Sequence, residues 1–231
     1  MSLQTFQILA DPDVQALFVR GLLTTIELFI SSAVAAYLLG GVLVVMRMSG
    51  RIASAVVGAF VEYHRNVPSI VQILVWYFGV PQLLPDAWQA WTNEHLSGFF
   101  FAVVALALNA AAYICEDLRS GFRAVSYGQM EAARALGLNH LQAMRLVLVP
   151  QAVRNSLPAL VNQALSLLKT TSLAMAIGVS DLMYVARQVD GETYATFAAY
   201  LTPTIIYLGC TLSLMAIGNH LQKPSRPASQ R

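Results

Sequence analysis

The sequence predicts an all-α integral membrane protein with about five transmembrane helices. It is 57% hydrophobic and 11% charged, with a mean hydropathy of +0.59, whereas soluble domains carry about 25% charged residues. The apolar residues form nearly uncharged runs of spanning length, and the basic residues cluster in alternate connecting segments. The formal net charge of +2 is too small and too scattered to indicate a nucleic-acid-binding protein.

Five apolar runs are long enough to cross a bilayer, which takes about 20 residues. We treat residues 1–231 as one transmembrane domain and place the spans at approximately 22–46, 60–83, 96–117, 153–180 and 196–219. The first run carries one charge, Glu27, and the fourth carries one, Lys169. The second span is the least defined, because residues 52–61 are apolar but precede Glu62. They predict an interfacial helix or the lower half of a long helix bent at Pro68.

The basic residues predict the orientation, because cytoplasmic loops of membrane proteins are enriched in Lys and Arg. One set of segments carries Arg47, Arg51, Arg119, Arg123, Arg134, Arg145, Arg154, Lys223, Arg226 and Arg231. The other set carries only Arg20 and Arg187 among several acidic residues. We therefore expect an extracytoplasmic N-terminus, a cytoplasmic C-terminus, and Trp88 and Trp91 at the outer lipid interface.

Several kinds of site have no support in the sequence. Cys115 and Cys210 lie in apolar runs and are expected to be small buried hydrophobes. The four histidines share no metal-ligand spacing, so no metal site is predicted. No nucleophile–base pair or phosphate-binding P-loop is present. We expect no ATPase site and no bound cofactor, and the absence of Lys or Arg before Arg20 argues against a cleavable signal peptide.

The polar segment 126–150 interrupts the apolar runs on the predicted cytoplasmic side. Ser126 with Gln129, and Asn139 with Gln142, have the spacing of helix-opening capping boxes. Gly137 lies between them, where a glycine commonly ends a helix. The segment therefore predicts a helix, a glycine turn and a second helix. Its residues alone are compatible with a solvated helical hairpin or with a knob that docks into a soluble partner.

The same segment contains the pattern E-A-A, three residues, G, and later an apolar residue and Pro. The pattern comprises Glu131, Ala132, Ala133, Gly137, Val149 and Pro150. It resembles the permease subunits of ABC importers, and further motifs narrow the resemblance to the polar amino acid branch. These motifs are GLLTTIELF at Gly21, RNVPSIVQ at Arg65, AAYICEDLRSGFRAV at Ala111, GQMEAARALGL at Gly128, LVPQAVRNSLPALVNQ at Leu148 and LLKTTSLAMAIGVSDL at Leu167.

The resemblance implies an inner-membrane subunit that imports a polar amino acid. Its partners would be an ABC ATPase dimer carrying ATP and Mg, a second identical or related permease subunit, an extracytoplasmic amino-acid-binding protein and membrane lipid. Segment 126–150 would couple the ATPase to the spans. The stretch RNVPSIVQILVWYFGVPQLLP from Arg65 is most similar to glutamate and aspartate permeases, and histidine-type permeases belong to the same branch. RNVP and LKTTS depart from the usual RGTP and LKNTS or LKDTS, so the substrate does not follow from the branch.

Ionisable residues at membrane depth are candidate functional residues because their burial in lipid is costly. Lys169 is followed by three hydroxyl residues, Thr170, Thr171 and Ser172, that could satisfy an interrupted helix near a substrate carboxylate. The alternative is a salt bridge from Lys169 to Glu27, Glu62 or Glu116.

Two further groups are candidates for the substrate path or gate. Arg65, Asn66 and Pro68 form a possible gate, or Arg65 simply pairs with Glu62. Glu116 and Arg119 are three residues apart and are expected to pair on one helix face.

Two other classes of function remain as alternatives. A stand-alone secondary transporter or channel would normally need a longer chain with an internal repeat. An intramembrane enzyme would need a nucleophile and base, which the sequence does not offer.

Overall fold

A computed structural model describes residues 8–222, and every regular element in that range is helical. Lys223, Arg226, Arg231 and both termini, on which part of the orientation prediction rests, lie outside the described residues. The helices are α1 Pro12–Met48, α2 Arg51–Asn66, α3 Ser69–Leu74, α4 Asp86–His95, α5 Gly98–Arg123, α6 Gly128–Ala135, α7 His140–Ala143, α8 Val149–Thr170, α9 Leu182–Thr193 and α10 Thr196–Leu221.

Three of the described helices, α1, α5 and α10, are each long and apolar enough to cross a membrane. His140–Ile177 and Leu182–Thr193 meet at an angle of 48° and together have the length and composition of a fourth, broken span or of a re-entrant loop. The all-α membrane fold is therefore confirmed. The helix that contains the predicted first span begins ten residues earlier than that span, at Pro12, and is capped by Asp11.

The predicted second span, 60–83, is not one continuous helix. α2 ends at Asn66, Val67 is extended, and α3 begins only at Ser69. Pro68 has no N–H and disfavours helical backbone in the residue before it, which explains the break. α3 widens into a π-helical turn at Val75–Gly79. Residues 52–61 belong to α2, which the break at Pro68 separates from α3.

The predicted fourth span, 153–180, also changes character along its length. α8 ends at Thr170, and the chain tightens into a 3₁₀ helix at Thr171–Ile177. The Thr171 hydroxyl donates to the Leu168 carbonyl at 2.7 Å, and the Ser172 hydroxyl donates to the Lys169 carbonyl at 2.7 Å. The hydroxyl residues therefore satisfy carbonyl groups at the end of the α-helix, as expected for an interrupted span.

α5 is the centre of the packing and contacts α1 on one side and α8 on the other. Small residues allow these helices to approach closely. An ideal Cβ placed on Gly40 would lie 2.6 Å from Ile114 Cγ2, and one on Gly121 would lie 2.4 Å from the Ala152 carbonyl oxygen. Close contacts between small residues are a common way of packing helices in membranes, where dispersion forces replace the hydrophobic effect. This packing fixes α5 and α8, which carry most of the polar residues described below.

Candidate functional site

The segment 126–150, which we call the elbow, forms the predicted helix–glycine–helix arrangement. α6 begins after Tyr127, which has helical backbone and makes no side-chain cap. The predicted capping box of Ser126 and Gln129 is wrong, because the Gln129 N–H bonds the backbone carbonyl of Ser126 instead. Glu131 does lie in the first turn of α6, where the helix dipole favours an anion.

Gly137 ends α6 in the left-handed conformation, with φ of +84°. The Gly137 N–H bonds the Arg134 carbonyl at 3.0 Å, and the Leu138 N–H bonds the Ala133 carbonyl at 3.2 Å. These two bonds form a Schellman motif, which favours glycine at this position because it has no Cβ. The turn at Gly137 is therefore fixed by backbone geometry.

The second half of the elbow is continuous with α8. The Asn139 and Gln142 capping box is confirmed, with reciprocal bonds of 2.9 Å. The turn Met144–Leu148 is π-helical, and the Val149 N–H reaches back to the Met144 carbonyl. Pro150 explains the widening, because it has no N–H and its ring crowds the carbonyl of residue 146. The elbow thus continues into α8 without a loop.

The elbow exposes an apolar surface. Leu136 at the turn is 83% exposed, and Tyr127 and Leu141 on either side are 81% and 75% exposed. Ala132 is exposed but Ala133 is buried, so only Ala132 is available for close approach by a partner. α6 packs against the Met144–Leu148 turn, and the Gln151 amide donates to Gln129 at 3.1 Å. These contacts hold α6 in place, while the side chains at the tip of the elbow remain exposed.

The break at Pro68 is held together by side chains from other helices. An interrupted helix leaves carbonyl groups without their usual N–H partners. The Asn109 amide donates to the His64 carbonyl at 2.7 Å, and the Tyr113 hydroxyl donates to the Arg65 carbonyl at 3.2 Å. Gln72, which is buried, donates to the carbonyls of both His64 and Val67. α5 therefore supplies hydrogen bonds that the backbone of α2 lacks.

A polar cavity of about 200 Å³ lies between this break and the end of α8. Its walls are Ser69, Asn109, Ala110, Tyr113, Gln163, Ser166, Leu167 and Thr170. α3 packs against the 3₁₀ turn that follows α8, so the two interrupted helices meet here. The described residues that line the cavity include amides and hydroxyls but no charged side chain. The site is suited to hydrogen bonding with a small polar molecule.

The structure brings only some of the predicted path residues to this cavity. Thr170 lines it, and Asn66 and Pro68 form the adjacent break. The Arg65 guanidinium lies over the Tyr113 ring, 5.2 Å from its centroid. The predicted Arg65–Glu62 pair is absent from the described structure, and the Glu62 carboxylate accepts from Asn66 instead.

Lys169 and Ser172 lie on another side of α8. They line a separate cavity of about 340 Å³ with residues of α9 and α10, namely Met183, Tyr200, Pro203, Thr204 and Tyr207. Within residues 8–222, Lys169 is exposed and forms no ion pair. The alternative salt bridges to Glu27, Glu62 and Glu116 do not form. Thr171 is fully buried and reaches neither cavity.

Glu116 and Arg119 pair as predicted, with Arg119 Nε 3.1 Å from Glu116 Oε1. Two more arginines join them, because Arg47 lies 2.9 Å and Arg123 3.5 Å from the same carboxylate. Glu116 is thus the centre of an ion cluster at the ends of α1 and α5. The described cluster does not line the polar cavity.

Sequence reasoning missed Asn109, Tyr113, Gln163 and Ser166. Each helix carried a periodic signal, because Asn109 and Tyr113 are four residues apart, and Gln163, Ser166 and Thr170 follow at spacings of three and four. Such spacing places polar groups on one face of an apolar helix. Polar faces on neighbouring spans would have identified the cavity walls.

The fold, the elbow and the cavity between interrupted helices define a transmembrane permease. The family described as binding-protein-dependent transport system inner membrane component matches residues 32–226. The chain belongs to this family and, within it, to the permease subunits of polar amino acid ABC importers. Permeases of this family are multi-pass inner-membrane proteins without an ATPase site of their own.

Individual relatives agree with this placement. The chain is 34% identical over 205 residues to the arginine transport system permease protein ArtQ of Bacillus subtilis (strain 168), covering 88% of this chain and 90% of that protein. It is 34% identical over 209 residues to the probable glutamine ABC transporter permease protein GlnM of the same organism, covering 90% and 93%. It is also 34% identical over 203 residues to the histidine/lysine/arginine/ornithine transport system permease protein HisM of Salmonella typhimurium, covering 85% of each.

The fold also matches solved structures. A chain in the crystal structure of an amino acid ABC transporter with histidines has a TM-score of 0.84 and 32% identity, with 96% of this chain and 99% of that chain covered. A chain of the inward-facing MetNI methionine ABC transporter has a TM-score of 0.72 at 21% identity, covering 92% and 98%. The second match supports the fold alone. The family placement disfavours a stand-alone secondary transporter or channel.

Proposed function

We propose that this chain is one half of a transmembrane pair that imports a polar amino acid in an ATP-driven reaction. Two ATPase subunits carry ATP and Mg and perform the hydrolysis, and this chain binds no cofactor. The second half of the pair is a copy of this chain or a related permease, and an extracytoplasmic binding protein delivers the amino acid. The N-terminus faces outward and the C-terminus faces the cytoplasm.

The elbow is the part of the chain that contacts the ATPase in this proposal. Its exposed apolar tip, Leu136 with Leu141, favours a docking role over a solvated hairpin, because surface hairpins gain nothing from exposed leucines. Glu131, Ala132, Ala133, Gly137 and Pro150 keep their proposed coupling role. Ala133 and Pro150 act through the shape of the elbow, since the first is buried and the second produces the π-helical turn.

The observation that carries the transport proposal is the polar cavity between the two interrupted helices. Transporter sites commonly form where helices are broken, because the freed backbone groups and nearby polar side chains replace the hydration of the solute. The amides of Asn109 and Gln163, with the hydroxyls of Ser69, Ser166 and Thr170, offer both donors and acceptors. This is the pattern of groups that an amino acid backbone requires.

The charges around the two cavities favour an acidic or neutral amino acid, and we propose glutamate or aspartate as the leading candidates. A basic amino acid needs an anion to replace water around its side chain. No carboxylate lines either cavity among the described residues, whereas Lys169 lines one of them. Behind the walls, Arg65 lies against Tyr113 of the polar cavity, and the buried Asp181 accepts from Tyr207 of the Lys169 cavity at 3.3 Å. Lys169, Thr170, Thr171, Ser172, Arg65, Asn66 and Pro68 remain candidate path residues. Glu116 and Arg119 remain candidate gate residues.

The test uses the whole importer reconstituted in proteoliposomes with its ATPase, second permease and binding protein. Gln163→Leu keeps the volume but removes the hydrogen-bonding groups, so uptake should fall while assembly remains normal. Asn162→Leu is the matched control, because Asn162 is the adjacent residue on α8 and lines neither cavity. Equal loss in both variants, or unchanged uptake in Gln163→Leu, would remove the cavity from the path. Competition by unlabelled glutamate, glutamine and arginine tests the substrate, and strongest competition by arginine would refute the charge argument.

A further inference from the structure

A further cavity of the chain lies apart from the polar cavity and shares no lining residue with it. It lies at the ends of α1 and α5, beside the start of α2, and has a volume of about 330 Å³. We call it the arginine cavity, and its walls are Arg47, Met48, Ser54, Arg119, Phe122 and Arg123. It combines three guanidinium groups with two large apolar side chains.

The arginine cavity carries an excess of positive charge. Arg47, Arg119 and Arg123 all pair with the single carboxylate of Glu116, so three cations meet one anion and the cluster has a net charge of +2. The three guanidiniums offer about fifteen N–H donors, whereas one carboxylate accepts about four hydrogen bonds. Asp117, the next acidic residue along α5, does not line the cavity. The cluster therefore has donors and charge left for another anion.

The arginines are partly buried, and this strengthens the effect of their excess positive charge on a bound anion. The Arg47 side chain is only 14% exposed, and Arg119 is 31% exposed. Arg47 lies against α2, with its Nη2 3.9 Å from the position that a Cβ on Gly58 would take. Partly buried charges interact more strongly with a bound anion than charges in bulk water do. Arg123 is 61% exposed and marks the open side of the cavity.

The surroundings are those of a membrane surface. Met48 in the wall is 48% exposed, and Ile52 and Val56 on the adjacent helix are 84% and 63% exposed. In the orientation proposed above, this region lies at the cytoplasmic leaflet. A lipid with an anionic head group and a hydrocarbon portion fits both the guanidiniums and the apolar flank, and phosphate matches the guanidinium geometry. Basic pockets between helices on the cytoplasmic side are suited to such head groups.

We propose that the arginine cavity binds the phosphate of an anionic phospholipid from the cytoplasmic leaflet, such as phosphatidylglycerol. The planar guanidiniums donate to the phosphate oxygens in the two-pronged geometry that arginine favours. The acyl chains lie along Met48, Ile52 and Val56. The bound lipid neutralises the cluster and joins the ends of α1 and α5 to the bilayer. This site includes the candidate gate residue Arg119 but not the walls of the polar cavity, and the proposal does not depend on which substrate is carried.

The experiment measures lipid binding to the purified complete importer. Native mass spectrometry follows titration with dioleoyl-phosphatidylglycerol and, separately, with dioleoyl-phosphatidylcholine. Arg123→Gln removes the most exposed cation of the cavity, and Arg123→Lys keeps its charge. Arg154→Gln is the charge-matched control, because Arg154 is an exposed arginine outside the cavity. Inorganic phosphate is added in a further arm to distinguish a lipid from a small soluble anion.

The wild type should retain phosphatidylglycerol in preference to phosphatidylcholine. Arg123→Gln should weaken phosphatidylglycerol binding about fivefold, as expected for the loss of one arginine near anionic lipid. Arg123→Lys should recover most of the binding, and Arg154→Gln should behave as wild type. Equal binding of the two lipids, or an equal loss in Arg154→Gln, would overturn the proposal. Displacement of the lipid by inorganic phosphate would show a site for a small soluble anion. Release of the ATPase by Arg123→Gln without a change in lipid binding would show a contact with protein. Either result would also overturn the lipid proposal.

Discussion

Replacement of Gly137 by valine tests whether the shape of the elbow governs coupling. The backbone of Gly137 has φ of +84°, and an ideal Cβ at this position would meet no atom within 4 Å. A Cβ at this position therefore clashes with no neighbouring atom. The effect of Gly137→Val comes from the conformation alone, because a β-branched residue strongly disfavours the left-handed region.

The expected penalty is about 1–3 kcal/mol for holding a non-glycine residue in this conformation. At about 1.4 kcal/mol for each factor of ten, the native elbow becomes about five- to 150-fold less favoured relative to alternative turns. The Schellman hydrogen bonds to the carbonyls of Ala133 and Arg134 should break first, because they form only when residue 137 is left-handed. Helices α1, α5 and α8 make no use of this turn in their packing, so insertion and folding should remain largely intact.

The assay compares transport with ATP hydrolysis in proteoliposomes. Gly137→Val should lower uptake and the stimulation of ATPase activity by loaded binding protein. Gly137→Asn is the matched control, because asparagine tolerates positive φ, and it should retain most of the activity. Thermal unfolding of each complex reports whether the chain is still folded. Full transport by Gly137→Val with normal ATPase association would refute the coupling role of the elbow.

The packing, the orientation and the charge of the spans give three further predictions. Gly40→Ala should lower the melting temperature by at least about 2 °C relative to Gly41→Ala, because overpacking costs about 1–3 kcal/mol. Of these two glycines, only Gly40 would bring a Cβ within 4 Å of its neighbours. Equal melting temperatures would contradict the packing of α1 on α5. In a background without native cysteines, Tyr194→Cys should react with an impermeant thiol reagent added outside cells. Ser126→Cys should react only after the membrane is opened. The reverse pattern would show that the proposed membrane orientation is wrong. Lys169→Gln should weaken uptake without loss of thermal stability, because Lys169 has no ion-pair partner among the described residues. Lower thermal stability with unchanged uptake would assign Lys169 a structural role instead.

The elbow shows which features sequence alone can predict. Gly137 and the Asn139 capping box were predictable because each depends on only a few consecutive residues. The Ser126 capping box failed although its spacing was correct, because Tyr127 has helical backbone and the Ser126 carbonyl, rather than its hydroxyl, accepts the Gln129 N–H. The π-helical turn before Pro150 could not be predicted from the sequence, because a proline without an N–H can lead to a kink, a break or a π-helical turn.

The polar cavity depended on tertiary packing and could be predicted only in part. Pro68 indicated a break, but the sequence does not say that Asn109 and Tyr113 would supply the hydrogen bonds that complete it. Lys169 and Thr170 are adjacent in sequence, yet successive residues of a helix are rotated by about 100° and face different neighbours. This rotation places Thr170 in the polar cavity and Lys169 in another. Of the four consecutive residues 169–172, only Thr170 lines the polar cavity, and the sequence could not separate it from Lys169 without the helix orientation.

The continuous helix from the elbow to the polar cavity has a mechanical consequence. α7, the π-helical turn and α8 run without a loop from His140 to Thr170, a length of about 45 Å at 1.5 Å per residue. One end begins just after Gly137, and the other carries the cavity wall of Gln163, Ser166 and Thr170. Over this length, a rigid tilt of about 10° corresponds to a displacement of about 8 Å at the far end. A movement of that size exceeds the spacing between packed side chains, so under the proposed coupling role even a smaller rotation at the elbow would alter the cavity wall.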